Sequence, residues 1–513
     1  MLCLLVLTSL LLVSDSIIPP LDSEEENVYR FSRTTSAPRF RLLSEDALDA
    51  IHWATLDVLE RTGIKIFSDK VLKMLDGAGC TIDYEKKIAF IPSYLVEESL
   101  KKRQKTIRLC ARNPKNDLKL DGRHTYICTD GTGTHTFDFE TGKRRESIKD
   151  DIVKSARISD YLDTINIYWP LVTSQDFPAH VRVLHDLEAA VNNTEKHVQF
   201  ETTTTPEEAR NEIKIGAAIV GDEKKLRKRP IISFTYCSIA PLQHAESIEA
   251  VLEFVKAGIP VFFMSMPQTG VTGPVTIPGS LVVNNAETLA GVVISQVASP
   301  GSPVGYSTAS SNFDMRTSRW LAGSPEAGMI WAAISEIARY YGLPSYVGAF
   351  GTDAQVPGPQ ASWEKVVSGL FPVLAGCDVA VGIGLVDACT TLPFEELVID
   401  NEICKIVFRL AEGIEVNDET LALDLIHSIG PGGQYLTEKH TLKHFKEHFI
   451  PEISNRKSYD AWEREGAKSV IEVAREKTKE ILKTHQPTPL EEDVKKEIGK
   501  IIERADKELV RKT

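Results

Sequence analysis

The feature of this sequence that most constrains its fold is an alternation, repeated eight times, of short apolar segments with segments of helical period. Such apolar runs are typical of parallel strands buried on both faces, and parallel neighbours need a helical crossover between them. Eight strand–helix units close on themselves, so the sequence predicts an α/β fold of the (β/α)8, or TIM-barrel, class. The predicted strands are Thr125–Thr129, Thr164–Trp169, His197–Thr202, Pro230–Tyr236, Pro260–Met264, Pro303–Thr308, Tyr346–Phe350 and Val379–Ile383.

The predicted helices lie between these strands and after the last one. An open, doubly wound sheet is the alternative architecture, but such sheets usually carry a glycine-rich nucleotide-binding fingerprint. The sequence has no G-x-G-x-x-G after the first strand and no G-x-x-x-x-G-K-[ST], so a barrel is the better prediction. The predicted helices are Asp150–Leu162, Val181–Asn192, Pro206–Val220, Ala245–Ala257, Asn285–Val297, Pro325–Tyr341, Ala361–Ala375 and Phe394–Leu410.

The chain divides into four parts by composition and period. Met1–Val13 is apolar and has the length of a signal-peptide core, but no basic residue precedes it and no clear cleavage site follows. Either a weak export signal or a misassigned start codon explains this apolar run, and we favour the misassigned start. The parts are a disordered leader or misassigned start (1–40), a helical N-terminal cap (41–120), the barrel (121–412) and a helical C-terminal region (413–513).

Charge and cysteine usage exclude several classes of protein. The chain has 59 Lys and Arg against 72 Asp and Glu, a net charge of −13, which argues against a nucleic-acid partner and suits a cationic substrate. Its eight cysteines are scattered, with no CxxC and no zinc spacing, so we predict no bound metal and reduced thiols in the cytoplasm. The apolar N-terminal run is too short to span a bilayer, and no membrane contact is predicted.

Aromatic and acidic residues collect where the predicted strands end. In a barrel of this class the carboxyl ends of the strands carry the chemistry. Aromatic faces attract a methylated ammonium by cation–π interaction, and carboxylates neutralise its charge. Packing in the barrel core is the ordinary explanation for each single aromatic residue, so the prediction depends on their joint placement. We predict Tyr168, Trp169, Tyr236 and Asp314 as substrate-binding residues and Glu201, Asp353 and Gln355 as catalytic residues.

Two other constellations do not support a site. His180, His185 and His244 fall in or beside helices, away from the predicted rim, where surface or capping roles fit better than metal ligation. The Ser and Cys residues near the fourth strand have no nucleophile elbow around them, so acyl transfer is not predicted.

Four segments of the chain resemble the trimethylamine methyltransferase family, whose members are corrinoid-dependent methyltransferases built on a (β/α)8 barrel. The similarity runs from about Arg41 to Ser458 and is specific for the family but less so for the substrate. The segments are Ser265–Pro267 with Gly270–Pro278, Asp314–Arg316 with Gly323–Glu326, Gly351–Pro357 through Lys365, and Gly430–Gly433 with His440 and Thr441.

The resemblance implies that the barrel binds a small methylated amine and passes one methyl group to the Co(I) of a corrinoid on a separate, cognate protein. It implies no permanently bound cofactor, a homo-oligomer, and a place in methylamine metabolism such as methanogenesis. Trimethylamine is the first substrate to expect, and glycine betaine or another quaternary amine is the alternative. A non-catalytic barrel that binds an amine or scaffolds the corrinoid protein is the alternative from another class.

Position 355 bears on that choice, because trimethylamine enzymes of this family carry pyrrolysine, encoded by an in-frame amber codon. On our placement of the seventh loop this position is Gln355. Either an amber codon is written here as Gln, or the chain is a relative without pyrrolysine, and the sequence leaves both open. We predict pyrrolysine, because a neutral tertiary amine lacks a good leaving group and a primary amide is a poor electrophile and a poor base.

Overall fold

The computed structural model describes residues 31–32 and 40–509. The predicted leader, residues 1–40, lies outside the described residues except for Phe40 and a two-residue strand, Phe31–Ser32, which pairs antiparallel with the first barrel strand.

Eight parallel strands form a closed barrel, which confirms the predicted fold class. Each strand pairs in parallel with the next one along the chain, and the eighth pairs with the first, with Val379 opposite Tyr126. The strands are β1 His124–Thr129, β2 Ile165–Tyr168, β3 His197–Phe200, β4 Ile232–Cys237, β5 Val261–Ser265, β6 Val304–Thr308, β7 Ser345–Gly348 and β8 Val379–Ile383.

A helix follows every barrel strand and covers its outer face. Large apolar residues that point outwards, such as Phe234 and Phe263, are buried beneath this helical layer. A short additional helix, Glu223–Lys228, precedes β4. The barrel helices are α1 Lys149–Tyr161, α2 Ala179–Asn193, α3 Pro206–Val220, α4 Ile248–Ala257, α5 Ile277–Ala298, α6 Pro325–Tyr341, α7 Pro359–Ala375 and α8 Phe394–Glu412.

Helix α5 is the one helix of the described residues that is long and apolar enough to cross a membrane by length and composition. Most of its apolar stretch, 72%, is buried inside the protein, as in the core helix of a globular domain. Its hydrophobicity is therefore explained by its position between the barrel and the N-terminal segment.

A small hairpin closes the floor of the barrel, at the amino ends of the strands. Its strands, Ile107–Leu109 and Leu118–Leu120, pair antiparallel and bury four apolar side chains. These side chains form one cluster with inward-facing residues of the barrel, among them Tyr126 and Phe262. Because the floor is filled, an accessible cavity has to lie at the opposite end, where the strands lead into loops.

The N-terminal segment is not purely helical, in contrast to the predicted helical cap over 41–120. Three short strands in it form a sheet with Gln243–His244, from the loop after β4. The strands are only three residues long, too short to give the two-residue alternation from which a strand is recognised in a sequence. The segment contains helices Glu45–Asp57, Asp69–Gly77 and Ser93–Lys102, a π-helical turn Val58–Thr62, a 3-10 turn Pro114–Asn116, and strands Ile64–Ile66, Thr81–Asp83 and Ile88–Phe90.

The remaining elements lie in the upper loops and in the C-terminal region. The helix Val470–Thr484 packs on α8 and α1, and Glu492–Leu509 packs on α2 and α3. The loop strands are His135–Phe137, Arg144–Glu146, Gln268–Thr269, Ser311–Asp314, Arg319–Trp320 and Thr391–Leu392. The other C-terminal helices are Asp418–Leu421, Leu423–Ile429, Lys439–His444, the 3-10 turn Phe445–Glu447, and Tyr459–Arg464.

A buried ion cluster joins α7 to α8 below the end of β8. The Nζ atom of Lys365 lies 2.9 Å from Glu396 Oε1 and 2.5 Å from Asp400 Oδ2, and all three side chains are buried. Asp400 also accepts the backbone N–H of Gly384 at 2.6 Å, just beyond β8. Burial raises the pKa of Asp400 to about 7, and the Lys365 charge opposes this. The lysine therefore compensates two carboxylates that have no access to water.

We predict that Lys365→Met lowers the free energy of unfolding by about 3–5 kcal/mol, because it leaves two buried carboxylates without their cation. Denaturant titration measures the change. The matched control is Lys73→Met, at an exposed position of the helix Asp69–Gly77, where we expect a change within about 0.5 kcal/mol. Equal, small changes in the two variants would contradict this account of the cluster.

Candidate active site

A cavity of about 300 Å³ lies at the carboxyl ends of the strands, where the fold leaves the barrel open. It reaches solvent between the loops, since Met266, Trp320 and Ala388 in its wall are only half-buried. Among the described residues, no Lys, Arg or His side chain is part of its lining. The side chains that carry the argument are two carboxylates (Asp130, Glu201), four aromatic residues (Trp169, Trp320, Trp331, Tyr346) and four sulphur-bearing residues (Cys237, Met264, Met266, Cys389).

The alternation of polar and apolar residues in β3 and β4 explains how Glu201 comes to face the cavity. In β4 the apolar residues Ile232, Phe234 and Tyr236 point to the helices, so the polar residues between them point into the barrel. The same holds for β3. The result is a polar seam of three cross-strand pairs: His197 with Ser233 at 2.7 Å, Gln199 with Thr235 at 2.6 Å, and Glu201 with Cys237 at 3.2 Å.

Glu201, at the top of this seam, is held by two donors. Its Oε1 accepts the Thr132 hydroxyl at 2.6 Å, and its Oε2 accepts the Cys237 thiol at 3.2 Å. Burial raises the pKa of Glu201, the two hydrogen bonds oppose the rise, and the nearby Asp130 charge adds to it. A second charge of the same sign therefore lies close enough to disfavour ionisation of Glu201.

Asp130 follows β1 directly and is about nine-tenths buried. Its Oδ1 accepts the backbone N–H of Gly131 at 3.0 Å, while its Oδ2 has no hydrogen-bond partner among the described residues. Burial raises the pKa of Asp130, and the neighbouring Cys389 thiol and the more distant Lys365 charge oppose the rise. A buried carboxylate oxygen without a partner is costly, and a bound cation would relieve that cost.

The aromatic side chains differ in how their polar atoms are satisfied. Trp331 donates its indole N–H to the Ser310 carbonyl at 2.9 Å, and the Tyr346 hydroxyl lies 2.9 Å from Cys128 Sγ. The indole nitrogens of Trp169 and Trp320 are buried without a hydrogen-bond partner. The Trp169 ring lies so close to Gly131 that a Cβ there would come within 2.3 Å of its Nε1, so this position requires glycine.

The loop after β8 has a strained backbone where it reaches the cavity. Asp387, Ala388 and Cys389 have φ values of 55°, 51° and 65°, in the left-handed region that non-glycine residues rarely adopt. The backbone N–H of Asp387 donates to Ala354 O at 2.7 Å, and its carboxylate pairs with Arg319 at 2.8 Å. These contacts hold Cys389 beside Asp130 and anchor the hairpin that carries Trp320. Such strain is commonest at functional sites.

Two of the predicted rim residues, Trp169 and Glu201, line the cavity. Tyr168 and Tyr236 do not, because each precedes an inward-facing residue and therefore points to the helices. The Tyr168 hydroxyl lies 2.9 Å from Ser155 Oγ in α1, and the Tyr236 ring packs on His244 and Phe263.

The other three predicted residues lie in the upper loops without lining the cavity. Asp353 accepts the backbone N–H groups of Ala322 and Gly323 at 2.8 and 3.0 Å, which makes it a support for the loop before α6. Asp314 pairs with its neighbour Arg316 at 3.1 Å. Gln355 is exposed, and its amide donates to the Asp353 carbonyl at 2.9 Å. As Gln, this side chain therefore hydrogen-bonds within its own loop and does not line the cavity.

The predicted set omits Asp130, Cys237 and Cys389, although the sequence carries a signal for the first two. Asp130 follows β1 as Glu201 follows β3, and Cys237 continues the inward-facing series of Ser233 and Thr235. Cys389 could not be found in this way, because its position depends on the left-handed loop.

Fold and site together define a TIM-barrel protein with an acidic and aromatic cavity at the loop end of the barrel, of a kind that suits a small organic cation. Cations are attracted both by ring faces and by carboxylates in such a cavity. Within residues 40–509, no group of His, Cys, Asp and Glu side chains has the arrangement of a metal site.

Comparison with known proteins assigns the family. The family model described as "Trimethylamine methyltransferase (MTTB)" matches residues 22–510, so the chain belongs to the trimethylamine methyltransferase family and is a methyltransferase. The chain is 36% identical to trimethylamine methyltransferase MttB of Desulfitobacterium hafniense (strain DSM 10664 / DCB-2), over 91% of this chain and 94% of that protein. It is 33% identical to trimethylamine methyltransferase MttB of Methanosarcina barkeri (strain Fusaro), over 91% and 95%.

A relative with a different printed substrate is also similar. Glycine betaine methyltransferase of Desulfitobacterium hafniense (strain Y51) is 28% identical over 92% of this chain and 98% of that protein. Among solved structures, the monomethylamine methyltransferase MtmB of Methanosarcina barkeri aligns with a TM-score of 0.49 at 13% identity, over 92% of this chain and 88% of that chain.

We predict that tetramethylammonium, a cation without a titratable proton, binds more tightly as the pH rises. Asp130 and Glu201 have raised pKa values, so they become neutral at a higher pH than free carboxyl groups and then no longer attract the cation. Calorimetric titration across the acidic range measures this. In Glu201→Gln the affinity should fall about tenfold or more at neutral pH and depend less on pH. The control is Asp314→Asn, outside the cavity; an equal loss in this variant would contradict the assignment.

Proposed function

We propose that this chain takes a methyl group from trimethylamine, held in the cavity as a cation, and transfers it to the cobalt of a corrinoid carried by a separate protein. The observation that carries the proposal is that Asp130 and Glu201 line one cavity among aromatic rings, with no basic side chain of the described residues in the lining. Aliphatic amines are protonated at neutral pH, so trimethylamine enters as trimethylammonium. The family and the names of the most similar relatives support this substrate.

The residues of the chain would bind and orient the donor. Asp130 and Glu201 neutralise the ammonium, and the rings around it fix the methyl groups while excluding water. A corrinoid in its Co(I) state supplies the electron pair that bonds to the methyl carbon, while the pair of the broken C–N bond stays on nitrogen and gives dimethylamine. The half-buried loops over the cavity, with a floor closed by the hairpin, leave the loop end of the barrel for the acceptor to approach.

Other properties are proposed from the family resemblance alone. They are a homo-oligomeric state, a cognate corrinoid protein as partner, and a place in methylamine metabolism. The cytoplasmic location is proposed from the scattered cysteines.

A quaternary amine is the second candidate for the methyl donor, and the position of Gln355 favours it. This side chain is exposed and donates to its own loop, so as Gln it does not contribute a reactive group to the cavity. A quaternary ammonium needs no such group, because its nitrogen has no proton to lose and keeps the positive charge that makes the amine a leaving group. Trimethylammonium becomes a neutral amine without a good leaving group when it gives up its proton. The relative named glycine betaine methyltransferase shows this substrate class in a similar chain.

We predict that the purified chain methylates cob(I)alamin when trimethylamine is supplied and releases dimethylamine in equal amount. Asp130→Asn and Glu201→Gln should each lower kcat/KM by about 30-fold, since each removes one ion pair worth about 2 kcal/mol from the bound cation. Asp314→Asn is the control and should retain the wild-type value. If tetramethylammonium binds in the cavity but no amine is demethylated, the chain is a non-catalytic amine-binding barrel.

The identity of the residue at position 355 distinguishes between trimethylamine and a quaternary amine as the methyl donor. Mass spectrometry of the peptide Tyr346–Lys365 from native protein reads it directly. A mass that matches pyrrolysine supports trimethylamine, as we predict for the native gene product. A mass that matches Gln, together with transfer from quaternary amines only, would contradict trimethylamine and leave the second candidate.

A further inference from the structure

A long stretch of the C-terminal region, directly after α8, buries none of its residues. Every residue of 412–452 is partly or fully exposed. We call residues 413–450 the arm. One of the segments that resemble the methyltransferase family, 430–433 with His440 and Thr441, lies in the arm, and no residue of the arm lines the cavity. The arm therefore needs an explanation other than the binding of the amine.

The arm exposes many apolar side chains to solvent. Ten of its large apolar residues are exposed, from 37% at Phe445 to 82% at Ile414, and Leu423 and Leu442 are among them. Single exposed apolar residues are ordinary on a protein surface, but a concentration of them marks a contact with another molecule. Because no part of residues 40–509 covers these side chains, the covering surface has to come from elsewhere.

Polar contacts inside the arm join its two halves and fix its conformation. His440 Nε2 lies 3.2 Å from the backbone oxygen of Glu419, and Lys443 pairs with the Glu419 carboxylate. The Thr441 hydroxyl donates to the Tyr435 carbonyl at 2.6 Å. The arm thus places its polar groups against each other and its apolar groups towards solvent, which is the reverse of an ordinary helical hairpin.

Both ends of the arm are attached at the floor end of the barrel, away from the cavity. Lys405 in α8 pairs with Asp163, at the amino end of β2, and also with Glu452, beyond the arm. Glu402 accepts the backbone N–H groups of Glu452 and Ile453 at 2.6 and 2.8 Å. Since α8 continues past Lys405 towards the floor, the arm also begins at this end. A protein that brings cobalt to the opposite end is therefore not placed to cover these attachment points.

The charges of the arm are separated along its length. Residues 413–429 contain four acidic residues and no Lys or Arg, whereas residues 439–446 contain three Lys and no Asp or Glu. A two-fold axis between two copies can place the acidic part of each against the basic part of the other, so the arm is complementary to itself. Permanent contacts between identical subunits are also more apolar than contacts with a transient partner. A second copy of this chain is the occupant that fits both properties.

We infer that the arm is a two-fold contact surface on which the same segment of a second copy packs, with the apolar side chains against each other and the acidic part against the basic part. The inference rests on the homo-oligomeric state proposed above and is independent of the methyl-transfer reaction. It assigns the subunit contact to the floor end of the barrel, which leaves the loop end of each subunit open to the methyl acceptor.

Analytical ultracentrifugation at micromolar protein concentration tests the apolar part of the contact. We expect the wild-type chain to form a dimer or a larger even-numbered assembly. Leu423→Glu combined with Leu442→Glu should weaken the assembly at least about 100-fold, because two charges then enter the contact without partners. Val275→Glu is the matched control, since Val275 lies outside the arm and is 72% exposed, as Leu442 is, and it should leave the assembly unchanged. Circular dichroism verifies that each variant is folded.

Charge reversal distinguishes a second copy from a partner of another sequence. Asp418→Lys with Asp424→Lys should weaken the assembly about tenfold at low salt. Adding Lys439→Glu and Lys446→Glu to the same chain should restore it, because both parts of the arm then change sign together. All four positions are exposed, so these variants leave the core of the barrel intact. A loss that the second pair of substitutions deepens would contradict the self-complementary contact.

Zero-length cross-linking of an equal mixture of unlabelled and ¹⁵N-labelled chains identifies the contact itself. We expect mixed-isotope cross-links between carboxylates of residues 413–429 and lysines of residues 439–446. Cross-links from the arm to residues 1–39 of the same copy, or cross-links that form only when a cognate corrinoid protein is added, would overturn the second copy as the occupant.

The remaining outcomes separate this inference from the proposed function. A wild-type chain that stays monomeric at micromolar concentration overturns the inference, and so does an assembly that none of the arm variants weakens. In the second case the homo-oligomeric state stands and the assigned surface is wrong. Methyl transfer from trimethylamine to cob(I)alamin is measured separately, so its absence leaves the contact standing, and the absence of the contact leaves the reaction standing.

Discussion

The constraint on which the site depends is the burial of two carboxylates, Asp130 and Glu201, in one cavity that no basic side chain of residues 40–509 lines. Burial raises the pKa of both Asp130 and Glu201, and the Asp130 charge adds to the rise at Glu201. Proteins normally pair such groups with a cation, as this chain does with Lys365 between Glu396 and Asp400. The contrast between a cluster that contains a lysine and two carboxylates in a cavity lined by no basic side chain of the described residues supports our proposal that the ligand supplies a positive charge.

The rest of the fold holds these carboxylates in place. The hairpin at the floor fills the lower barrel, so that the polar seam of β3 and β4 can end in a cavity. Thiols on adjacent segments, Cys237 and Cys389, accompany the two carboxylates. The strained loop after β8 gains its stability from Arg319 and from the backbone of the β7 loop, and it thereby connects the hairpin of Trp320 to the cavity.

Much of this architecture could be predicted from the sequence, because eight strand–helix units leave few topologies open. Glu201 and Trp169 could be predicted, because the functional side chains of this fold lie at the carboxyl ends of the strands. Tyr168 and Tyr236 were not distinguished from their inward-facing neighbours, since the strand-end rule ignores the two-residue alternation that decides where a side chain points. Asp353, Asp314 and Gln355 lie on long loops, whose side-chain directions depend on tertiary hydrogen bonds. The three-residue strands of the N-terminal segment are too short for any periodicity to be recognised.

A crystal structure with a bound methylated ammonium ion, such as tetramethylammonium, tests the central claim most directly. The account predicts the nitrogen within about 4–6 Å of the carboxylates of Asp130 and Glu201 and within about 6 Å of at least one tryptophan ring centre. An ion bound elsewhere on the barrel, with these two carboxylates contacting only water, would contradict it.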